Sequence, residues 1–183
     1  MRVQWTELEV PGLLMSGGAS VADLRGSFTK VLSGPDSAID GFEGRELYWT
    51  RSVRGVLRGL HLQLPPHAAR KLVWVVNGAI RDFVVDLRIG SPAERRLVEV
   101  ALSPEVGALL VPAGCAHAYE SLADDTIVVY AQDVPFDDAA SYAGIRADSA
   151  GIVTRSPNPV IAPRDLEFPT LAEFISPFDF NAR

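Results

Sequence analysis

From about residue 46 onward, apolar and polar positions alternate with a period of two in short runs. Glu46–Val53 reads ELYWTRSV, Val56–Leu64 reads VLRGLHLQL, Lys71–Val76 reads KLVWVV and Ile80–Leu87 reads IRDFVVDL. Arg96–Leu102, Ala108–Val111, Ala116–Leu122 and Thr126–Gln132 continue the series. Runs of this length, rich in β-branched and aromatic residues, predict strands. Pro104, Pro112 to Gly114 and Asp124-Asp125 break the runs and predict turns. Asn77-Gly78 lies between two β-branched runs, which predicts a two-residue hairpin, because both residues tolerate positive φ. Many short strands at even spacing predict an all-β sandwich or barrel. Helical periodicity is confined to Leu171–Ile175 (LAEFI), after Pro169-Thr170. The segment up to Gly44 is less regular and carries one compact motif, DLRGSF at Asp23–Phe28.

A chain of 183 residues fits one domain. We divide it into an arm at 1–45, a barrel core at 46–135 and a C-terminal segment at 136–183. Hydrophobic residues make up 48% and charged residues 22%, which suits a packed core and excludes disorder. The single Cys115 cannot form an internal disulfide. No signal-peptide pattern or membrane-length apolar run is present, so a cytoplasmic protein is expected.

The net charge is -6, which argues against a general binder of nucleic acid or anionic membrane. The charge is uneven, however. Between Leu47 and Arg81 there are six basic residues (Arg51, Arg54, Arg58, Arg70, Lys71 and Arg81) and no acidic one. A basic island in an acidic chain implies a local site for a small anion.

The three histidines are His61, His67 and His117. In isolation, His61 and His117 fit hydrogen-bonded structural positions as well as they fit a site. Their spacing resembles that of the cupin superfamily, small jelly-roll barrels. Gly55 precedes His61 by six positions, Gln63 stands where a second metal-binding histidine is usual, and Lys71 stands where the cupin glutamate is usual. Pro112-Ala-Gly114-Cys115-Ala-His117 preserves the second cupin motif. An ammonium in place of an anionic ligand repels a divalent metal, so no metal and no other cofactor is expected. The groups that remain suit enolate chemistry: an imidazole base, a fixed ammonium and an acid on the opposite face. Tyr130 is a candidate for that acid, with an ordinary strand tyrosine as the alternative.

These motifs resemble the dTDP-4-dehydrorhamnose 3,5-epimerases, metal-free cupins that act on nucleotide-diphospho-4-keto-6-deoxyhexoses. The resemblance is densest in GVLRGLHLQLPPHAARKLVWVVNGAIRDFVVDLRIGSP (Gly55–Pro92). It continues in LLVPAGCAHAYESL, in Tyr130 and in IAPRDLEFPTL (Ile161–Leu171). It implies a cupin-type jelly-roll β-barrel with short C-terminal helical elements. It also implies His61 as base, Asp165 as the partner that orients it, Lys71 as the enolate stabiliser and Tyr130 as acid. Arg58, with Arg25 from a neighbouring subunit, would hold the diphosphate. Phe28, Gln63 and His117 would line the sugar site. The implied assembly is a homodimer with exchanged N-terminal arms. For Asp165, a solvated loop aspartate is the alternative.

Asp82 carries an expectation of its own. A two-residue turn at Asn77-Gly78 puts it opposite Val73 and diagonal to Lys71, where it could hold the ammonium. The alternative there is a hairpin ion pair outside the chemistry.

The chain departs from the family pattern at Lys30, Glu46, Tyr48, Pro135 and Ala147 to Ala150, while Phe136 retains one aromatic of a usual pair. The departures gather on the base-binding side. The substrate expected first is dTDP-4-dehydro-6-deoxyglucose, inverted at carbons 3 and 5. The alternatives are inversion of carbon 3 or 5 alone on another nucleotide sugar, and a cupin that binds a nucleotide sugar without turning it over. A metal-dependent cupin is a further class.

Overall fold

A computed structural model describes residues 3–17, 19–32, 39–136 and 141–182. The N-terminal arm contributes β1 (Gln4–Glu7), β2 (Leu14–Gly17), β3 (Ala19–Asp23) and β4 (Gly26–Lys30). The middle of the chain forms β5 (Glu46–Ser52), β6 (Val56–Gln63), β7 (Lys71–Asn77) and β8 (Ile80–Asp86). It continues with β9 (Leu97–Leu102), β10 (Ala108–Val111), β11 (Cys115–Ser121) and β12 (Thr126–Gln132). The C-terminal segment adds β13 (Tyr142–Gly144), β14 (Val160–Ile161) and a single-turn helix, α1 (Pro163–Leu166).

Two antiparallel sheets face each other in a cupin-type jelly-roll arrangement. One runs β1-β2-β10-β7-β12-β5 and the other β13-β6-β11-β8-β9, with β14 added in parallel to β6. Side chains of both inner faces meet in one core, where Val73, Val75 and Val128 pack with Val84, Val98 and Tyr119. The outer face of the second sheet is covered by the C-terminal segment, through Ile145, Ile152, Phe174 and Phe178. This explains why every residue of β11 is buried. The outer face of the first sheet is partly covered by Trp5, Val31, Ile39 and Phe42 of the arm.

Residues opposite one another in a ladder share a face, and this sets the rows of the inner wall. Glu46, Gln132 and Lys71 form one row across β5, β12 and β7; Tyr48, Tyr130 and Val73 form the next. On β6 the alternation is interrupted. Arg58 pairs with Tyr119 and His61 with His117, with a register shift between them. Residues three apart would ordinarily face opposite ways along a strand. The irregularity at Gly59 and Leu60 brings Arg58 and His61 to the same cavity. Gly59 has φ of 115°, and a Cβ there would lie 2.4 Å from the His117 carbonyl oxygen and 2.6 Å from the Ala118 Cα. No other residue type fits without moving β11.

Two expectations are corrected. Asn77-Gly78 does not close a hairpin, because β7 and β8 belong to different sheets. Each already has two ladder neighbours, β10 and β12 for β7, and β11 and β9 for β8. The turn is therefore a corner between sheets, and the positive φ of Gly78 (83°) serves that corner. As a consequence Asp82 pairs opposite Tyr119 and Val100, not opposite Val73. The second correction concerns Leu171–Ile175, which is a single capped turn and not a helix. The Thr170 carbonyl accepts from the Glu173 and Phe174 N–H groups, while the Glu173 carboxylate accepts from the Thr170 N–H at 2.9 Å. Pro177 follows closely and disfavours helical backbone at Ser176. The helix forms instead at Pro163, where proline suits the first turn.

Gly59→Ala should cost about 2–4 kcal/mol, combining positive-φ strain with overpacking against β11. A thermal or denaturant unfolding midpoint equal to that of the wild type would show that this close approach does not exist.

Candidate active site

A cavity of about 700 Å3 opens between the sheets, a size suited to a small organic ligand. Its walls take His61 from β6, Lys71 from β7, His117 from β11, Tyr130 from β12 and Asp165 from α1. These residues are separated by up to 104 positions in sequence, and the fold brings them together. Asp165 arrives because Val160 and Ile161 pair in parallel with Val56 and Leu57, which docks the following helical turn beside β6.

His61 Nε2 lies 2.8 Å from Asp165 Oδ1. The second carboxylate oxygen accepts from the Gly59 N–H at 3.4 Å. Asp165 is buried, at 3% exposure, so the alternative of a solvated loop aspartate does not describe it. Burial opposes its ionisation, but the hydrogen bonds from His61 and Gly59 and the Arg164 charge prevail and hold it below the usual carboxylate range. For His61, burial is the largest influence and lowers its affinity for a proton; Asp165 offsets part of this, while Lys71 and Arg164 add to it. A neutral imidazole that donates Nε2–H to Asp165 leaves the Nδ1 lone pair for a substrate proton.

Among the described residues Lys71 forms no ion pair; burial lowers its ammonium to about 8, with Glu46 acting in the opposite sense. Tyr130 is buried, which raises its phenol well above the ordinary value, so it remains a proton donor at neutral pH. It stacks on Tyr48, with ring centroids 4.9 Å apart and an interplanar angle of 13°, as expected for partners opposite one another on β5 and β12. His117 and Tyr130 meet in a T-shaped contact, with ring centroids 5.9 Å apart.

Asp82 belongs to His117 and not to Lys71. Its Oδ2 lies 2.7 Å from His117 Nε2, while Oδ1 has no hydrogen-bond partner among the described residues. Burial raises the Asp82 carboxyl, and His117 offsets part of that rise. The two cavity histidines are therefore each engaged by a carboxylate of their own. Among the described residues, no three His, Cys, Asp or Glu side chains gather as a metal-binding set.

Arg58 lies on the cavity wall and donates from Nε to Ser52 Oγ at 3.2 Å. Ser52 and Thr50 in turn bond the Tyr119 hydroxyl, each at 2.8 Å, which ties Arg58 to β5 and β11. Gln63 is buried but does not line the cavity. It donates to the His67 carbonyl at 2.7 Å and accepts from Gln132 at 3.2 Å. Arg25 and Phe28 sit on the β3–β4 hairpin, outside the cavity wall of their own chain. Arg25 is exposed and pairs with Asp23 at 2.6 Å, and Phe28 is also exposed.

Two wall residues escaped the sequence reading. Arg164 stacks its guanidinium over Tyr142 at 5.1 Å. Tyr142 pairs opposite Gln63 on a three-residue strand, and its buried hydroxyl has no hydrogen-bond partner among the described residues. Adjacency to Asp165 was a usable signal for Arg164, whereas nothing local marked Tyr142.

Comparison with known proteins decides the family. Residues 7–173 match the family model of dTDP-4-dehydrorhamnose 3,5-epimerase. The chain belongs to this family. A dTDP-4-dehydrorhamnose 3,5-epimerase of Streptomyces griseus is 35% identical over 173 residues, covering 91% of this chain and 86% of that protein. One from Sinorhizobium fredii is 38% identical over 130 residues, covering 69% of this chain and 66%, just under two thirds, of that protein. The crystal structure of dTDP-4-dehydrorhamnose 3,5-epimerase from Sulfolobus tokodaii superposes with a TM-score of 0.88 at 28% identity, covering 98% of this chain and all of that one. The chain is thus a member of a family of sugar-nucleotide epimerases with the cupin-type fold. Among its described residues, no helix is long and apolar enough to cross a membrane.

Proposed function

We propose that the protein epimerises a nucleotide-diphospho-4-keto-6-deoxyhexose, with dTDP-4-dehydro-6-deoxyglucose inverted at carbons 3 and 5 as the leading substrate and reaction. One observation carries this reading: a base backed by a buried carboxylate, a buried ammonium and a buried phenol converge on a single cavity. A proton on a carbon beside the keto group is acidified by that carbonyl. His61 Nδ1 takes it, and the electron pair moves onto the keto oxygen. Lys71 stabilises the resulting enolate. Tyr130 returns a proton to the other face; its phenolate is then reprotonated from solvent and the His61 imidazolium gives its proton up to solvent, which resets both groups. The same sequence at the second flanking carbon completes a double inversion. No electron is gained or lost, so the reaction requires no redox cofactor.

Arg58 and Arg164 give the cavity mouth two guanidinium groups, whose planar forks suit a diphosphate. Arg25 and Phe28 complete this site from a second copy of the chain. Support for a homodimer with exchanged arms comes from the β3–β4 hairpin, whose strands pair only with each other and expose Val21, Leu24 and Phe28. Leu47 and Trp49 are exposed on the edge strand β5. A cytoplasmic location is part of this reading, in keeping with the free, buried Cys115.

Offered dTDP-4-keto-6-deoxyglucose in deuterated water, the protein should incorporate deuterium at carbons 3 and 5. His61→Ala should abolish incorporation, and Tyr130→Phe should leave partial exchange or altered stereochemistry. The rate should be bell-shaped in pH, because His61 must be unprotonated and Lys71 protonated. The acid limb should lie below the ordinary histidine value and the alkaline limb near pH 8. Absence of exchange at both carbons would reject this substrate, and exchange at one carbon would define a mono-epimerase.

Arm exchange makes a separate prediction. Mixed, refolded or co-expressed Arg25→Ala and His61→Ala chains should regain activity that neither has alone, since one site of the heterodimer holds both intact residues. Failure to complement would place Arg25 in its own chain's site or outside any site.

A further inference from the structure

Glu46 is the one acidic residue in the row that faces Lys71, and the chemistry described above gives it no part. It stands on β5 directly across from Gln132, which stands directly across from Lys71 on β7. All three project to the same face. Gln132 is 1% exposed and packs behind the wall, whereas Glu46 and Lys71 are half-buried and line the cavity. Gln132 Nε2 donates to Glu46 Oε2 at 2.5 Å and to Gln63 Oε1 at 3.2 Å. The backbone N–H of Phe136 donates to the same Glu46 Oε2 at 2.9 Å. Both bonds fall on one oxygen, which leaves Oε1 without a hydrogen-bond partner among the described residues, at the cavity wall. A neutral side chain could accept both of those bonds, so the second oxygen and the negative charge are unexplained by packing.

We propose that Glu46 is a positioning residue that keeps the Lys71 ammonium charged inside the cavity while it anchors the Phe136 wall. The inference rests on the epimerase reading for its consequence in catalysis, but not for its effect on Lys71. The other titratable groups that share the cavity are Tyr48 on β5, Tyr130 on β12, His117 on β11, Arg58 and His61 on β6, Tyr142 on β13 and the Arg164–Asp165 pair on α1. Asp165 is committed to His61, and Asp82, behind His117, is committed to that imidazole. The tyrosines are neutral at working pH, and the histidines, Arg58 and Arg164 either leave Lys71 unaffected or oppose its charge. Glu46 is the anion left to favour it. Burial works against the ammonium and Glu46 works for it, with the balance near 8. Among the described residues the two form no ion pair, so the charge acts at longer range across the row that Gln132 occupies.

The chain contains only two lysines, Lys30 and Lys71. Protein labelled with 13C at the lysine ε-carbon therefore gives two signals, and Lys30→Arg assigns them. Glu46→Gln keeps an acceptor for Gln132 and Phe136 and removes only the charge. The Lys71 titration should then move down from about pH 8, by roughly half a unit or more. Glu46→Asp, which retains the charge but withdraws it, should fall between the two and supplies the test if Glu46→Gln does not fold. In solvent exchange, Glu46→Gln should lose roughly three- to fivefold at pH 8.5 relative to wild type and little near pH 7. An unchanged Lys71 titration in Glu46→Gln overturns the proposal, as does a rate loss that is the same at every pH. Because the titration needs no substrate, it separates this failure from a failure of the epimerase reading, in which wild-type protein would show no exchange at all.

Discussion

The hydrogen bond between His61 and Asp165 is the contact on which the site depends. It joins β6 to a helical turn 104 residues further along, and it sets the tautomer of the base. The same carboxylate accepts from the backbone of Gly59, at the point where β6 loses its alternation. Without that irregularity Arg58 and His61 would project to opposite faces. In the proposed reaction, backbone conformation, acid–base chemistry and anion binding therefore meet in four consecutive residues, Arg58 to His61. The sequence RGLH is compact because each of its members answers a separate physical demand.

Around this contact the cavity works by controlled desolvation. Burial keeps His61 neutral, weakens the hold of Lys71 on its proton and keeps Tyr130 protonated. These are the states that a base, an enolate stabiliser and an acid require. A buried ammonium at the position of a cupin carboxylate needs an anion near enough to keep it charged. It must also be far enough away not to neutralise the field felt by a developing enolate. In the role proposed for it, Glu46 meets both conditions by standing across the intervening strand β12, on the far side of Gln132. His117 is held by Asp82 of the same sheet and meets Tyr130 of the facing sheet in a T-shaped contact, which links the two halves of the wall.

Much of this was legible in the residues. The strand series from 46 to 132 is present, and Ala108–Val111 and Thr126–Gln132 have the predicted limits. Alternation succeeds there because each strand has one face in the shared core. It was silent for β1, which is mostly exposed, and for β13 and β14, which are too short to show a period. Asn77-Gly78 specified a tight reversal but not the sheet in which the next strand would find its neighbours. That is why Asp82 was assigned to the wrong partner. His61, Lys71, His117 and Tyr130 were legible through motif spacing, and the cavity contains them all. Gln63 was assigned to the wall, whereas it lies behind it, bonded to the His67 carbonyl and Gln132. Tyr142 became visible only in three dimensions, because its place depends on a pairing with Gln63 across 79 residues.

The central claim is that His61 and Tyr130 address opposite faces of one sugar ring whose keto oxygen rests on Lys71. A crystal structure with a dTDP-linked 4-keto-6-deoxyhexose, trapped in an inactive His61→Asn variant, tests it most directly. The account predicts the keto oxygen within hydrogen-bond reach of Lys71 Nζ, residue 61 and the Tyr130 hydroxyl on opposite sides of the ring, and the diphosphate at Arg58. A sugar with both residues on the same face, or a diphosphate seated on Lys71, would contradict it.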